Sequence, residues 1–203
     1  MHNRKILIIG EVYVDQHLDI IENGYSTSRL GGIFHAARSC DALNIEYALA
    51  YYAPDYLVKD VEKFGIDVLR ASSIFRLGKV DKAPNVMLIG QSDESGNQLY
   101  ENILGRQAEY VSMLPFMQVL DDFDPTDIII FPGRYGNAGI LSNLSNYEGK
   151  IHIDMNYDCD DILDLDTIKI QTVFLSTSST SFEEFFKEIS YDNLIKYFDI
   201  LHL

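Results

Sequence analysis

The sequence predicts an α/β protein with a doubly wound, mostly parallel sheet, covering helices and a small β lid. Short apolar runs rich in β-forming residues alternate with helical patterns along the 203 residues, and this alternation is typical of parallel sheets. Two strand-like segments interrupt the alternation and have no helices of their own. With 47% hydrophobic residues, the chain is long enough for one substantial core.

The predicted strands are apolar runs such as residues 6–9, whose continuous hydrophobicity is typical of a strand buried on both faces. Six strands are expected, near 5–10, 46–52, 127–131, 150–154, 172–176 and 198–202. Five helices are expected between them, near 32–43, 55–64, 110–120, 137–146 and 180–188. In the first helix one face is apolar, formed by Ile33, Ala36, Ala37, Cys40 and Leu43.

The two interrupting segments cover residues 16–31 and 85–104. Turn-forming residues at 93–97 favour a hairpin within the second segment. We expect the two segments to pair as a small sheet. Such a sheet could act as a lid, because ligands of open α/β sheets bind outside the carboxyl ends of the strands.

The charge balance is strongly acidic, with 16 Lys and Arg against 31 Asp and Glu, a net charge of −15. This argues against nucleic acid and against an anionic membrane surface as partners, because both require a basic protein surface. It does not exclude a phosphorylated ligand, since one or two local cations or backbone amides can hold a phosphate.

The compartment predicted from the sequence is the cytoplasm. The apolar run at 6–9 is too short for the core of a signal peptide, and no stretch approaches transmembrane length. Cys40 and Cys159 are far apart in sequence and form no CxxC motif. We therefore expect two reduced thiols.

Three features together carry a family resemblance. They are the segment 10–15 after the first strand, the pair Gly31-Gly32 before the first helix, and the order of the hairpin at 85–104, the run 129–133 and the run 151–157. With these features the chain resembles the N-terminal two-thirds of a ribokinase-like (PfkB-type) carbohydrate kinase. The resemblance implies phosphoryl transfer from ATP to a hydroxyl of a sugar or nucleoside, with magnesium, and a homodimer formed through the lid.

The resemblance implies that Asp15 accepts hydrogen bonds from two neighbouring sugar hydroxyls; the alternative is that Asp15 caps a turn. Gly31 and Gly32 would let the backbone approach the substrate, although a plain turn before a helix explains the same pair. The sugar-binding Asn of the family corresponds to Ala36 here. His35 is a further candidate for substrate binding, with a partly buried packing role as the alternative.

Four more residues are candidates for phosphate or substrate contacts: Arg134, Asp154, Asn156 and Ser178. Arg134 follows a strand in a loop whose amides could face an anion, or the loop is an ordinary turn. Ser178 replaces the family's magnesium-organising Asn-x-x-Glu motif and could meet a phosphate or simply cap a helix. The acidic run from Asp158 to Asp166 does not match a calcium-binding loop, and no metal site is predicted.

The family's Gly-Ala-Gly-Asp motif, which supplies the catalytic base and an anion-binding turn, does not occur in these 203 residues. No catalytic residue is therefore predicted, and we expect residues 1–203 to form a ribokinase-like domain that is incomplete at its C-terminus. The alternative is a degenerate relative that binds a sugar-like ligand or a partner protein without chemistry.

Overall fold

The computed structural model describes residues 4–22, 25–92, 98–102, 109–131, 140–156, 168–176 and 198–202. The described residues form two sheets and the helices that cover the larger one. The strands are β1 (Lys5–Glu11), β2 (Val14–Glu22), β3 (Tyr25–Leu30), β4 (Glu46–Ala53), β5 (Ser73–Asp81), β6 (Val86–Ser92), β7 (Gln98–Asn102), β8 (Glu109–Ser112), β9 (Asp127–Ile130), β10 (Lys150–Asn156), β11 (Ile170–Ser176) and β12 (Phe198–His202). The α-helices are α1 (Phe34–Ala42), α2 (Val58–Lys63) and α3 (Phe116–Phe123).

The large sheet has eight strands in the order β12-β11-β10-β9-β1-β4-β5-β8. The pairings are parallel except for that of β8 with β5. β1 lies in the interior of the sheet, and its side chains are buried on both faces. Leu7 and Ile9 pack into a core with α3, whereas Ile6 and Ile8 pack into a second core with α1 and α2. This arrangement confirms the predicted doubly wound α/β fold.

The small sheet has four strands in the order β3-β2-β6-β7. β2 pairs antiparallel with β3 and parallel with β6, and β6 pairs antiparallel with β7. The two interrupting segments therefore form one sheet, as predicted. Only Val12 and Tyr13 separate β1 from β2, so the chain passes directly from the carboxyl end of a buried strand into the small sheet.

Three local predictions were wrong. A helix was expected over 110–120, but β8 occupies the first part of this range, and α3 begins at Phe116, after Pro115. Proline is unfavourable inside a helix and suits its start. β5 was not predicted, because its alternation of apolar and charged residues is a weaker signal for a strand than a continuous apolar run. Leu43 was placed on the buried face of α1 but follows the helix and is exposed.

The helix predicted near 55–64 is observed as a 3-10 turn at Asp55–Leu57, followed by α2 and one wide helical turn at Phe64–Val68. The predicted helix 137–146 lies partly outside the described residues, and its described part includes a 3-10 turn at Ser142–Leu144. The predicted helix 180–188 lies wholly outside them. In the described part of the chain, no helix has both the length and the apolarity needed to cross a bilayer.

Candidate functional site

Asp15 lies where the two sheets meet. It is the second residue of β2, its side chain is buried, and only 4% of the residue surface is exposed. Its cross-strand partner on β3 is Arg29. The backbone N–H of Gly31 donates to the carbonyl of Tyr13 at 2.8 Å, which brings the end of β3 back beside the start of β2. Asp15 is thus held within a strand beside the turn that leads into α1.

Gly31 and Gly32 are required at this junction for two different reasons. A methyl group on Gly31 would overlap the Asp15 carboxylate, so the carboxylate lies directly against the backbone there. Gly32 has a φ of 61°, and a side chain at this position would overlap the carbonyl oxygen of Glu11. Glycine at 32 is required by the turn that leads into α1. Glycine at 31 is required by the close approach of a carboxylate.

One histidine and one arginine contact the Asp15 carboxylate, and both reach the same oxygen. Nε2 of His35 lies 3.0 Å from Oδ2, and Nε of Arg29 lies 3.7 Å from it. Half of each of these two side chains is exposed, whereas the carboxylate is buried. The His35 ring thus lies at the surface of the junction, against Asp15.

Arg38, one helical turn after His35, adds a second arginine to this region. Its Nη2 donates to the carbonyl of Leu30 at 2.7 Å, and its Nη1 is buried without a hydrogen-bond partner among the described residues. Burial lowers the pKa of Arg38, and the neighbouring charge of Arg29 lowers it further. Arg38 therefore stabilises the end of β3 through this hydrogen bond and adds positive charge beside Arg29.

Glu11, the last residue of β1, ties the small sheet to the large one. Only 2% of its surface is exposed. Its carboxylate accepts hydrogen bonds from Tyr13 Oη at 2.8 Å, Asn85 Nδ2 at 3.2 Å and Tyr110 Oη at 2.9 Å. Asn85 immediately precedes β6 and adopts a φ of 49°, a left-handed conformation that asparagine tolerates. A single buried carboxylate thus joins β1, the start of the small sheet and β8.

Two other predicted candidates, Asp154 and Asn156, lie on β10 of the large sheet, whereas Asp15 lies on β2 of the small sheet. Asp154 lies on β10, which is separated from β1 by β9, and is therefore about 10 Å from β1 across the sheet. Burial raises the pKa of the Asp154 carboxyl group. Asn156 is the last residue of β10. Arg134, Ser178 and the acidic run 158–166 lie outside the described residues.

Sequence reasoning missed Glu11, Arg29 and His17 as members of this junction. His17 lies two residues beyond Asp15 on β2 and is buried, with 8% of its surface exposed. Arg29 could have been found only from the register of β2 and β3. Glu11 could have been identified as a charged residue at the end of an apolar strand. A charge at such a buried position needs several hydrogen-bond partners.

No protein-family profile and no curated protein sequence matches the chain. Solved structures match it over nearly its whole length. Ribokinase from Giardia lamblia aligns with a TM-score of 0.63 at 14% identity, covering 98% of this chain and 67% of that one. Fructokinase from Xylella fastidiosa aligns with a TM-score of 0.64 at 12% identity, covering 98% and 69%. An archaeal nucleoside kinase of the ribokinase family, from Methanocaldococcus jannaschii, aligns with a TM-score of 0.53 at 14% identity, covering 98% and 69%.

The chain has the ribokinase-like fold. The agreement covers both the mostly parallel large sheet and the separate small sheet, and it confirms the fold expected from residues 10–15, Gly31-Gly32 and the hairpin. At identities of 12–14%, a structural likeness establishes the fold alone, since one fold hosts many functions.

Replacing Glu11 tests its role at the junction of the two sheets. Glu11→Ala removes the acceptor of three donors, and a buried donor left unsatisfied costs on the order of 1–3 kcal/mol. We expect the free energy of unfolding to fall by about 2–4 kcal/mol in urea titrations. Glu11→Gln should lose less, because the amide keeps one acceptor oxygen. Glu148→Ala, at an exposed position, serves as the control, and an equal loss in the control would contradict this role.

Asp154 should make stability depend on pH. Its pKa is raised in the folded state, so the folded protein holds this proton more tightly than the unfolded chain does. Stability should therefore fall as pH rises from the unfolded value of about 4. Asp154→Asn should melt at a higher temperature than the wild type at pH 7, and the difference should shrink below pH 4. Asp121→Asn, at an exposed position, should show no such trend, and a lower melting temperature for Asp154→Asn at pH 7 would contradict the assignment.

Proposed function

We propose that the chain is the substrate-binding part and lid of a carbohydrate or nucleoside kinase, which transfers the γ-phosphoryl group of ATP to a hydroxyl. The observation that carries the proposal is the Asp15 carboxylate, held against the Gly31 backbone at the junction of the two sheets. Ligands of open α/β sheets bind outside the carboxyl ends of the strands, and Asp15 follows the carboxyl end of β1 by four residues.

The chemistry of the junction suits a polyhydroxyl ligand. A carboxylate has two oxygens and can accept a hydrogen bond from each of two neighbouring hydroxyls. His35 and Arg29 both contact Oδ2, which orients the carboxylate. The Gly31 backbone leaves no side chain between the carboxylate and a ligand at this point.

The phosphoryl-transfer step is assigned to no residue of this chain. The sequence contains no Gly-x-Gly-Asp motif to supply a base for the accepting hydroxyl. ATP and magnesium are expected from the resemblance. Among the described residues, however, no three His, Cys, Asp or Glu side chains are grouped so that they could hold a metal ion. The residues around Asp15 are assigned the recognition and orientation of the acceptor substrate.

The alternative is a relative that binds a sugar-like ligand or a partner protein without chemistry. Ala36 at the position of the family's sugar-binding Asn, and Ser178 in place of its magnesium-organising motif, favour this alternative. One measurement distinguishes the two functions. Transfer of label from ATP to a bound sugar would support the kinase, and sugar binding without transfer would support the binding protein.

Substitution of Asp15 tests the sugar site. A hydrogen bond to a charged group contributes about 1.5–3 kcal/mol, so Asp15→Ala should weaken ligand binding by about tenfold or more. Asp15→Asn should lose less, because it keeps one acceptor. The melting temperature should change little, since the ion pairs that Asp15 makes involve half-exposed cations and such pairs contribute little.

Titration calorimetry with pentoses, hexoses and nucleosides, together with melting curves, would measure both effects. Asp60→Ala, which removes an exposed carboxylate from α2, is the matched control. Unchanged affinity combined with a large loss of stability would make Asp15 a structural residue and contradict the proposal.

A further inference from the structure

One face of the small sheet gathers polar side chains beside α1. Asp15 and His17 point to the same side of β2, because side chains alternate along a strand. Their cross-strand partners on β3, Arg29 and Thr27, share that side. Since Asp15 contacts Gly31 and His35, this side is directed towards α1. We call Asp15, His17, Thr27 and Arg29 the inner face.

His17 is the least explained residue of the inner face. Its side chain is almost fully buried, and its Nε2 has no hydrogen-bond partner in the described part of the chain. Buried polar atoms nearly always have a partner, so a ligand or water should supply one here. Two residues along a strand span about 7 Å, which places His17 roughly one sugar length beyond Asp15.

More positive charge lies near Asp15 than is required to neutralise one carboxylate. Arg29 and His35 both contact Oδ2, and Arg38 lies near enough to Arg29 for their charges to interact. One cation would neutralise the carboxylate. The contact from Arg29 is 3.7 Å long, longer than a hydrogen bond, and half of its side chain is exposed. Two arginines, Arg29 and Arg38, thus lie near one carboxylate in a protein whose net charge is −15.

We propose that the ligand bound at Asp15 is an acidic sugar, one that carries a carboxylate or a phosphate group. This inference rests on the proposed function and specifies its substrate class. The sugar hydroxyls bind Asp15, and the acidic group pairs with Arg29, whose planar guanidinium matches carboxylate and phosphate oxygens. His17 hydrogen-bonds the part of the ligand that extends beyond Asp15. The net charge of the whole protein repels anions, so a preference for an acid must come from this local cluster.

Matched pairs of sugars test the preference directly on the wild-type protein. D-Gluconate differs from D-glucitol by a terminal carboxylate, and ribose 5-phosphate differs from ribose by a phosphate. Titration calorimetry should show the acid of at least one pair binding about tenfold more tightly or better. The preference should weaken between 0.05 and about 0.5 M salt, because salt screens partly exposed charges. The pair that shows the preference identifies the acidic group.

Two arginine variants test whether Arg29 causes the preference for the acidic sugar. Arg29→Gln should reduce the preference for the acid, measured as the ratio of the affinities for the acidic and the neutral sugar, by about tenfold. Arg70→Gln removes an exposed arginine that pairs with Asp41 and should leave the preference unchanged. Melting curves would show that both variants are folded.

The outcomes separate this inference from the proposed function. If neutral sugars bind through Asp15, and no acid binds more tightly than its neutral partner, the inference is overturned and the sugar site stands. A preference that survives Arg29→Gln likewise overturns the inference. If no sugar of either kind binds to the wild-type protein, the proposed function fails, and the inference fails with it.

Discussion

The close approach of the Gly31 backbone to the Asp15 carboxylate is the constraint that organises the candidate site. It requires β3 to return beside the start of β2, and it forbids any side chain at residue 31. It also determines which cations can approach, because Arg29 is the register partner of Asp15 and His35 follows the glycine pair into α1. A single close approach thus links the small sheet, the turn and the first helix.

Two buried carboxylates, four residues apart, have different partners and different roles. Glu11 is surrounded by the uncharged donors Tyr13, Asn85 and Tyr110, which suit a fixed structural connection between the sheets. Asp15 is contacted by Arg29 and His35, whose side chains are half exposed. The difference follows from position. Glu11 ends a strand of the large sheet, whereas Asp15 lies on β2 of the small sheet.

The sequence predicted the features that depend on local pattern. Apolar runs such as 6–9 identified buried parallel strands, and turn residues at 93–97 identified a hairpin in a segment that pairs within the small sheet. Asp15 and Gly31 were expected from the resemblance alone, and their contact follows from the junction of the two sheets. β5 was missed because half of its side chains are polar, and β8 because residues 110–120 also fit a helical pattern.

The cations around Asp15 could not be predicted, because their positions depend on pairing between distant segments. Arg29 lies opposite Asp15 only in the observed register, and a slip of one residue would turn it to the other face of the small sheet. Likewise, nothing local distinguishes His17 on β2 from an exposed histidine. Its burial arises only in the folded structure.

A crystal structure of the protein with a bound sugar tests the central claim most directly. The account predicts two neighbouring sugar hydroxyls within about 3 Å of the Asp15 carboxylate oxygens, with the ligand extending along β2 towards His17. A sugar bound elsewhere, with Asp15 still contacted only by Arg29 and His35, would contradict it.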